Sequence, residues 1–362
     1  MTALPLLGLR VLDLSRVLAG PLCTMMLGDL GAEVIKVERP GAGDDTRGWG
    51  PPFDERGESA YFISCNRNKR SLVAALDTPE DLALLLHLAS EADVVVENFL
   101  PGSLARKGLN AAAILSDRPA LIWCSIGGYP DQPTRPGYDF AVQAESGWMS
   151  VTGEPDGVPL RTAVALIDVL TGKDAAIAIL AALVARERRT AAERHLRITL
   201  SGTAVAALAN VAQNALVSGT EAGRWGNAHA NLVPYQLFET LDRPIVIAVG
   251  SDAQWRALTG ILSDPGLAND ASLDSNAGRV MHRTRCVASV QRALRTASAA
   301  EWQLRCERVG VPVGRVRSVL EALADVAASP LTGVPSSVGG AVRRPPPMLG
   351  QHSEEIRRGG WG

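Results

Sequence analysis

No hydrophobic run is long enough to cross a bilayer. The longest, Ala175 to Ala185, falls well short of the ~20 apolar residues that a spanning helix needs, so no membrane partner is expected. Cysteine is scarce and scattered: Cys23, Cys65, Cys124, Cys286 and Cys306 are odd in number and form no C-x-x-C. That excludes a disulfide framework and points to a reducing, cytoplasmic location. The histidines (His87, His195, His229, His282, His352) form no H-E-x-x-H, and no Cys/His cluster has zinc-ligand spacing, so no metal is expected. Neither sign of charge is in excess. With 36 basic and 38 acidic residues the net charge is −2, which gives no reason to expect nucleic acid, and any anionic ligand must be held by local basic residues. The start, MTALPLLGLRVLDLS, lacks a basic n-region and a cleavage-like site, so no signal peptide is expected. Internal repeats are missing too. Gly20, Gly28 and Gly31 do not follow G-x-G-x-x-G, which disfavours a dinucleotide site.

What is present is material for a core. Hydrophobic residues make up 46% and mean hydropathy is +0.08, values of an ordinary globular protein large enough for two domains. Arg10 to Leu14 alternates as a strand; a turn, Pro21 suited to a first helical turn, an apolar helix, a stop at Gly31 and a second strand, Glu33 to Val37, follow. This βαβ unit starts a parallel sheet. Further strands are expected after Lys69-Arg70, at Ala92 to Glu97, at Ala120 to Ser125 and at Leu196 to Leu200. Helices are expected from a capping-box-like Thr78-Pro79-Glu80-Asp81, over SLARKGL and over Ala204 to Leu216. Residues 40–57, rich in Gly, Pro and charge, read as a long loop that Trp49 and Phe53 would pack. Arg39 ends the second strand, where such sheets gather ligands. Near Gly219 the pattern changes, which closes a first domain at 1–218. LFETLDRPIVIAVG then reads as a hairpin, followed by helices at DAQWRALTGIL, from Arg279 to Ala297 and from a capping box at Ser298, a strand and helix in VPVGRVRSVLEALADV, and a proline-rich extended tail.

Within the first domain lies VPLRTAVALIDVLTGKDAAIAILAALVARERR, which delivers Asp168 to the start of a strongly apolar helix. Two readings of that carboxylate stand side by side. It is an N-cap, its oxygen taking a backbone N–H two or three positions on and stabilising the helix by about 0.5–2 kcal/mol; or it is a nucleophile able to form a covalent intermediate. Lys69-Arg70 is similarly a solvated turn or an anion contact.

Eight segments in order, RVLDLSRVLAGP, LGAEVIKVERPGAGDDTR, NRNKRSLVAAL, ADVVVENFLPGSLARKGL, RPGYDFAVQAESGWMSVTGEP, ALIDVLTGKDAAIAILAAL, WGNAHANLVPYQ and LGQHSEEI, resemble the class III coenzyme A transferases, or CaiB/BaiF family. The resemblance implies a Rossmann-like parallel-sheet large domain built from both chain ends (1–218 and 316–362), a smaller α+β domain at 219–315, and two subunits interlocked as a homodimer. It also implies that coenzyme A moves between an acyl-CoA thioester and a free carboxylic acid, with acyl-CoA as substrate and no prosthetic group.

The family's nucleophile falls on Asp168. Its coenzyme contacts fall on Val17, Leu18, Ala19, Arg39, Ala74, Ala75, Leu76, Asp77, Asn98, Phe99, Leu100, Arg106, Arg135, Pro136, Gly137 and Tyr138. The phosphates of coenzyme A call for arginine or lysine, which Arg39, Arg106 and Lys69 or Arg70 offer, with Lys69 counted as a contact. Amides after Asp168 are candidate oxyanion donors. Some positions depart from the family pattern: Pro136 stands where some members have lysine, Ile167 where glycine often precedes the nucleophile and could narrow access to it, and Gln351 for the usual glutamate. GRWGNAHAN lacks the oxalate-type run of glycines. The racemase branch carries G-H-D where this chain has Gly137-Tyr138-Asp139, and a phenol with a reference pKa near 10 is a poor base beside imidazole near 6.5. Racemisation of a 2-methylacyl-CoA and a non-catalytic CoA-binding role are the alternatives to transfer.

Overall fold

Alternating apolar residues place side chains on both faces of a strand, and six such strands form one all-parallel sheet in a computed structural model that describes residues 4–325 and 338–362. They are β1 (Arg10–Asp13), β2 (Glu33–Glu38), β3 (Lys69–Val73), β4 (Val94–Glu97), β5 (Ile122–Gly127) and β6 (His195–Thr199), in the order β3-β2-β1-β4-β5-β6. In register, Leu12 faces Ile35 on one side and Val95 on the other. Val11, Val34, Val94 and Cys124 bury one face under the helices Ala19–Asp29 and Leu166–Glu187. Leu12, Ile35, Val95 and Trp123 bury the other under Leu85, Leu88 and Ala89 of the helix Pro79–Glu91, and Ile356 and Trp361 from the chain's end join this face. The strand order reverses between β1 and β4, and ligands of open α/β sheets sit at such a switch, beyond the strands' C-terminal ends.

This larger unit comprises residues 4–149, 161–222 and 338–362; the smaller comprises 150–160 and 223–325. The smaller unit therefore takes in 150–160, which the sequence reading leaves with the first domain, and continues past 315. Its core lies between an antiparallel sheet of β7 (Tyr235–Phe238), β8 (Ile245–Ala248) and β9 (Val313–Arg315) and helices carrying Trp255, Leu258, Val290 and Trp302.

Several expectations need correction. Lys69 and Arg70 do not precede a strand; they begin β3. The 40–57 loop is packed chiefly by Arg47, buried between Glu38 and Glu58, while Trp49 and Phe53 are half-exposed. Thr78 makes no capping bond. The helices expected over Ala204 to Leu216 and Arg279 to Ala297 are each broken in two, the second at His282. The tail is not extended throughout, because Ser353–Gly359 is helical. Val326, the last residue of VPVGRVRSVLEALADV, lies outside the described residues.

Candidate active site

Asp168 is the third residue of the helix Leu166–Glu187, one turn before Gly172. A Cβ on Gly172 would stand 2.6 Å from the Ala19 carbonyl, so the missing side chain is what lets this helix touch the start of the helix Ala19–Asp29. Asp168 is thereby brought against the loop that leaves β1. A second backbone contact shapes the other wall. A Cβ on Gly137 would lie 2.3 Å from the Gly128 Cα, so the segment after β5 and the one around Tyr138 meet as bare backbone. Among these walls opens a cavity at the β1/β4 switch, lined by Arg16, Val17, Leu18, Ala19, Asn98, Phe99, Leu100, Arg135, Pro136, Gly137, Tyr138 and Asp168.

Asp168 does not cap its helix. That role belongs to buried Asp139, whose Oδ2 accepts from the Ile167 amide at 2.8 Å and the Asp168 amide at 3.2 Å. Gln143 donates to the other Asp139 oxygen at 2.5 Å. Of the amides after Asp168 expected to serve an oxyanion, the first, that of Val169, is engaged by the Ala165 carbonyl at 3.1 Å, while those of Ile167 and Asp168 are held by Asp139. With the cap supplied from elsewhere, the Asp168 carboxyl opens on the cavity. Its burial, and then the charge of Asp139, push its pKa up to about 7. Ile167 does not obstruct it, because that side chain is fully buried in the core.

A second cavity adjoins the first, sharing Arg16 and Phe99 with it. Arg39, Ala74, Ala75, Leu76, Asp77 and Lys107 line it. Arg39 is half-exposed and paired with Asp45.

Two of the expected contacts are placed otherwise. Lys69 is fully buried; its Nζ donates to Asp13 Oδ2 at 2.9 Å, the Pro21 carbonyl at 2.8 Å and Asn66 Oδ1 at 2.9 Å. It is a structural cation: although burial opposes it, Lys69 and Lys36 together hold the Asp13 pKa at about 2. Its neighbour Arg70 is also buried and bonds Glu355 at 2.7 Å and the Trp361 carbonyl at 2.8 Å. Arg106 is exposed and lines neither cavity; the adjacent Lys107 does.

Three residues of the site escape the sequence reading. Arg16 stacks on the Phe99 ring at 5.2 Å and reaches Asp45 at 3.5 Å. Tyr61 packs edge-on to Trp49 with centroids 5.0 Å apart, and burial followed by the charge of Asp168 pushes its phenol up to about 12. Asp139 is visible in G-Y-D, yet its capping bond spans 28 residues and leaves no local signal. Among the described residues no group of His, Cys, Asp and Glu could hold a metal ion.

The family model described as CoA-transferase family III matches residues 6–353. Succinyl-CoA:glutarate CoA-transferase from Mus musculus is 42% identical over 97% of this chain and 85% of its own length. Succinate--glutarate CoA-transferase from Agrobacterium fabrum is 40% identical over 97% of this chain and 94% of its own. The crystal structure of a CAIB/BAIF family protein from Brucella suis superposes with a TM-score of 0.86 at 37% identity, covering 99% of both chains.

Proposed function

The chain belongs to CoA-transferase family III and moves coenzyme A between an acyl-CoA thioester and a free carboxylic acid, and we infer that it does so by covalent catalysis at Asp168. The reading rests on one observation: a carboxyl relieved of capping its own helix opens on the cavity lined by Val17 to Ala19, Asn98 to Leu100 and Arg135 to Tyr138. The Asp168 carboxylate attacks the thioester carbonyl, giving a mixed anhydride and CoA thiolate. The thiolate attacks the aspartyl carbonyl of that anhydride, releasing the donor acid and leaving an aspartyl-CoA thioester. An acceptor carboxylate attacks this thioester and expels the thiolate, which takes the acceptor's acyl group and returns Asp168 to its carboxylate. Splitting a difficult exchange into such steps is the gain of covalent catalysis. Leu18 is the N-cap of the helix that Ala19 begins, with no capping side chain, and their amides are candidate backbone donors for the developing oxyanion.

In this reading the adjoining cavity takes the adenosine end, with Arg39 and Lys107 toward its phosphates, and the pantetheine arm passes Phe99 to reach Asp168. The named substrates of the two transferase relatives favour dicarboxylates, succinyl-CoA as donor and glutarate as acceptor. Arg16 and Arg135 are cations on the wall of the Asp168 cavity that suit a far carboxylate. Tyr138, 62% exposed, stands where racemisation would call for an imidazole base. The five cysteines are all free and buried, which agrees with a reducing cytoplasm. The homodimer is supported by apolar side chains left uncovered on the larger unit, among them Leu216 and Val217, each 78% exposed. Sedimentation at micromolar concentration is expected to give twice the mass of one chain; a monomer at all concentrations defeats the dimer.

Asp168→Ala is expected to abolish transfer while the fold and CoA binding persist. Native protein incubated with succinyl-CoA and quenched with hydroxylamine is expected to carry a hydroxamate on Asp168 by mass spectrometry. Full activity in the variant excludes covalent catalysis, binding without any acyl-enzyme supports a non-catalytic role, and rapid washout of an α-deuterium from a 2-methylacyl-CoA supports racemisation.

A further inference from the structure

Val17 is a β-branched residue with φ +71°, a left-handed backbone that valine adopts only when its surroundings impose it. It lies on the cavity wall beside Leu18, Ala19 and Asp168. The imposing groups are side chains from separate segments, Lys36 and Asp44 buried and Asn98 half-buried. Asp44 Oδ1 accepts from the Val17 amide at 3.3 Å while also holding the Thr46 amide at 3.0 Å and hydroxyl at 2.8 Å. Its other oxygen pairs with Lys36 Nζ at 2.9 Å, and both side chains are sealed from solvent. Lys36, on β2, also donates to the Ser15 carbonyl at 2.9 Å. Asn98, beyond β4, grips the peptide between, accepting from the Arg16 amide at 2.9 Å and donating to the Arg16 carbonyl at 2.7 Å. The loop from β1 is thus held, residue by residue, by the strand ends around it.

We propose that the buried Lys36–Asp44 pair is a positioning device for the transfer reaction, pinning Val17 in its strained backbone so that Leu18 and Ala19 form a fixed wall facing Asp168. An ion pair buried this deeply is a costly way to stabilise a fold, since taking both charges out of water offsets most of their attraction. What it supplies that an apolar pair cannot is a carboxylate fixed on one side by lysine and aimed on the other at a single strained amide. Without it Val17 relaxes to negative φ and the next peptides turn away from the nucleophile. Lys36 and Asp44 also reach the wall of the adjoining cavity, but their side chains are sealed from solvent and neither lines the cavity that holds Asp168. They act through the loop, a role that rests on Asp168 being the nucleophile.

The test removes the pair without leaving a lone buried ion. In Lys36→Met/Asp44→Ala, kcat is expected to fall at least about tenfold while KM for the acyl-CoA changes less than about threefold, the signature of lost alignment. Glycine adopts positive φ without a clamp, so adding Val17→Gly is expected to bring kcat back to within about threefold of the Val17→Gly single variant. A native kcat in the double variant overturns the proposal. So does a folded triple variant as slow as the double. If the double variant does not fold, the triple is measured directly, and its failure to fold overturns the proposal as well, because the pair is then needed for more than Val17. The native hydroxamate on Asp168 is the separate control: its absence defeats the nucleophile and leaves the clamp to be judged on amide hydrogen exchange at 15–18. That exchange is expected to quicken at least about tenfold in the double variant, and an unchanged rate overturns the clamp itself.

Discussion

A carboxylate must be ionised to attack, and Asp168 is held with a pKa of about 7 by burial and by the charge of Asp139. Because the folded protein favours the protonated form, the active fraction grows as pH rises through that value. The logarithm of kcat/KM is therefore expected to climb by about one per pH unit below 7 and level off above it. Asp139→Asn keeps an acceptor for the Ile167 amide but removes the like charge, so the rising limb is expected to move down by about one pH unit. A pH–rate profile of both proteins checks this, and an unmoved limb denies Asp139 its electrostatic role. At this scale the position of the proposed nucleophile was legible, because a family segment surrounds Asp168. The residue that frees it to react was not, since the bond from Asp139 joins distant parts of the chain. Lys69 shows the opposite error. As neighbours on a strand, it and Arg70 point to opposite faces of the sheet, one toward Asp13 and the other toward Glu355, and neither direction is written in the pair itself.

The helix Leu166–Glu187 and the helix Ala19–Asp29 owe their close approach to Gly172. Gly172→Ala forces a methyl toward the Ala19 carbonyl, where the backbone cannot easily give way. It is expected to cost about 1–3 kcal/mol of stability, read from denaturant unfolding, and to lower kcat more than it raises KM, because the wall opposite Asp168 shifts. Strands and their order of appearance were readable from alternation and turn residues, as at Arg10–Asp13 and Glu33–Glu38. Helix breaks were not. At His282 the break follows Arg279, which is buried and bonds the carbonyls of Val233 at 2.7 Å and Leu273 at 2.9 Å; those partners belong to the fold and not to the helix's own sequence.

At the scale of the whole chain, the alternating β and α pattern carried the architecture, while the participation of both chain ends was known only through likeness to a family. The structure gives that participation a physical form. Ser71 and Val73 of β3, one of the sheet's two edge strands, are held by the returning tail: the Ser71 carbonyl accepts from the His352 amide at 3.1 Å, and the Val73 amide donates to Ser353 Oγ at 3.0 Å. Indole Nε1 of Trp361 reaches the Leu88 carbonyl at 3.2 Å from within the core.

During synthesis, then, this rim of the sheet stays bare until residues 350–361 leave the ribosome. An open strand edge is a template for pairing with other chains. A protein ending at Arg344 is expected to partition into the insoluble fraction on expression, and supplying the missing segment as a peptide during refolding is expected to rescue it. Yields equal to those of the full chain would mean that the rim guards itself.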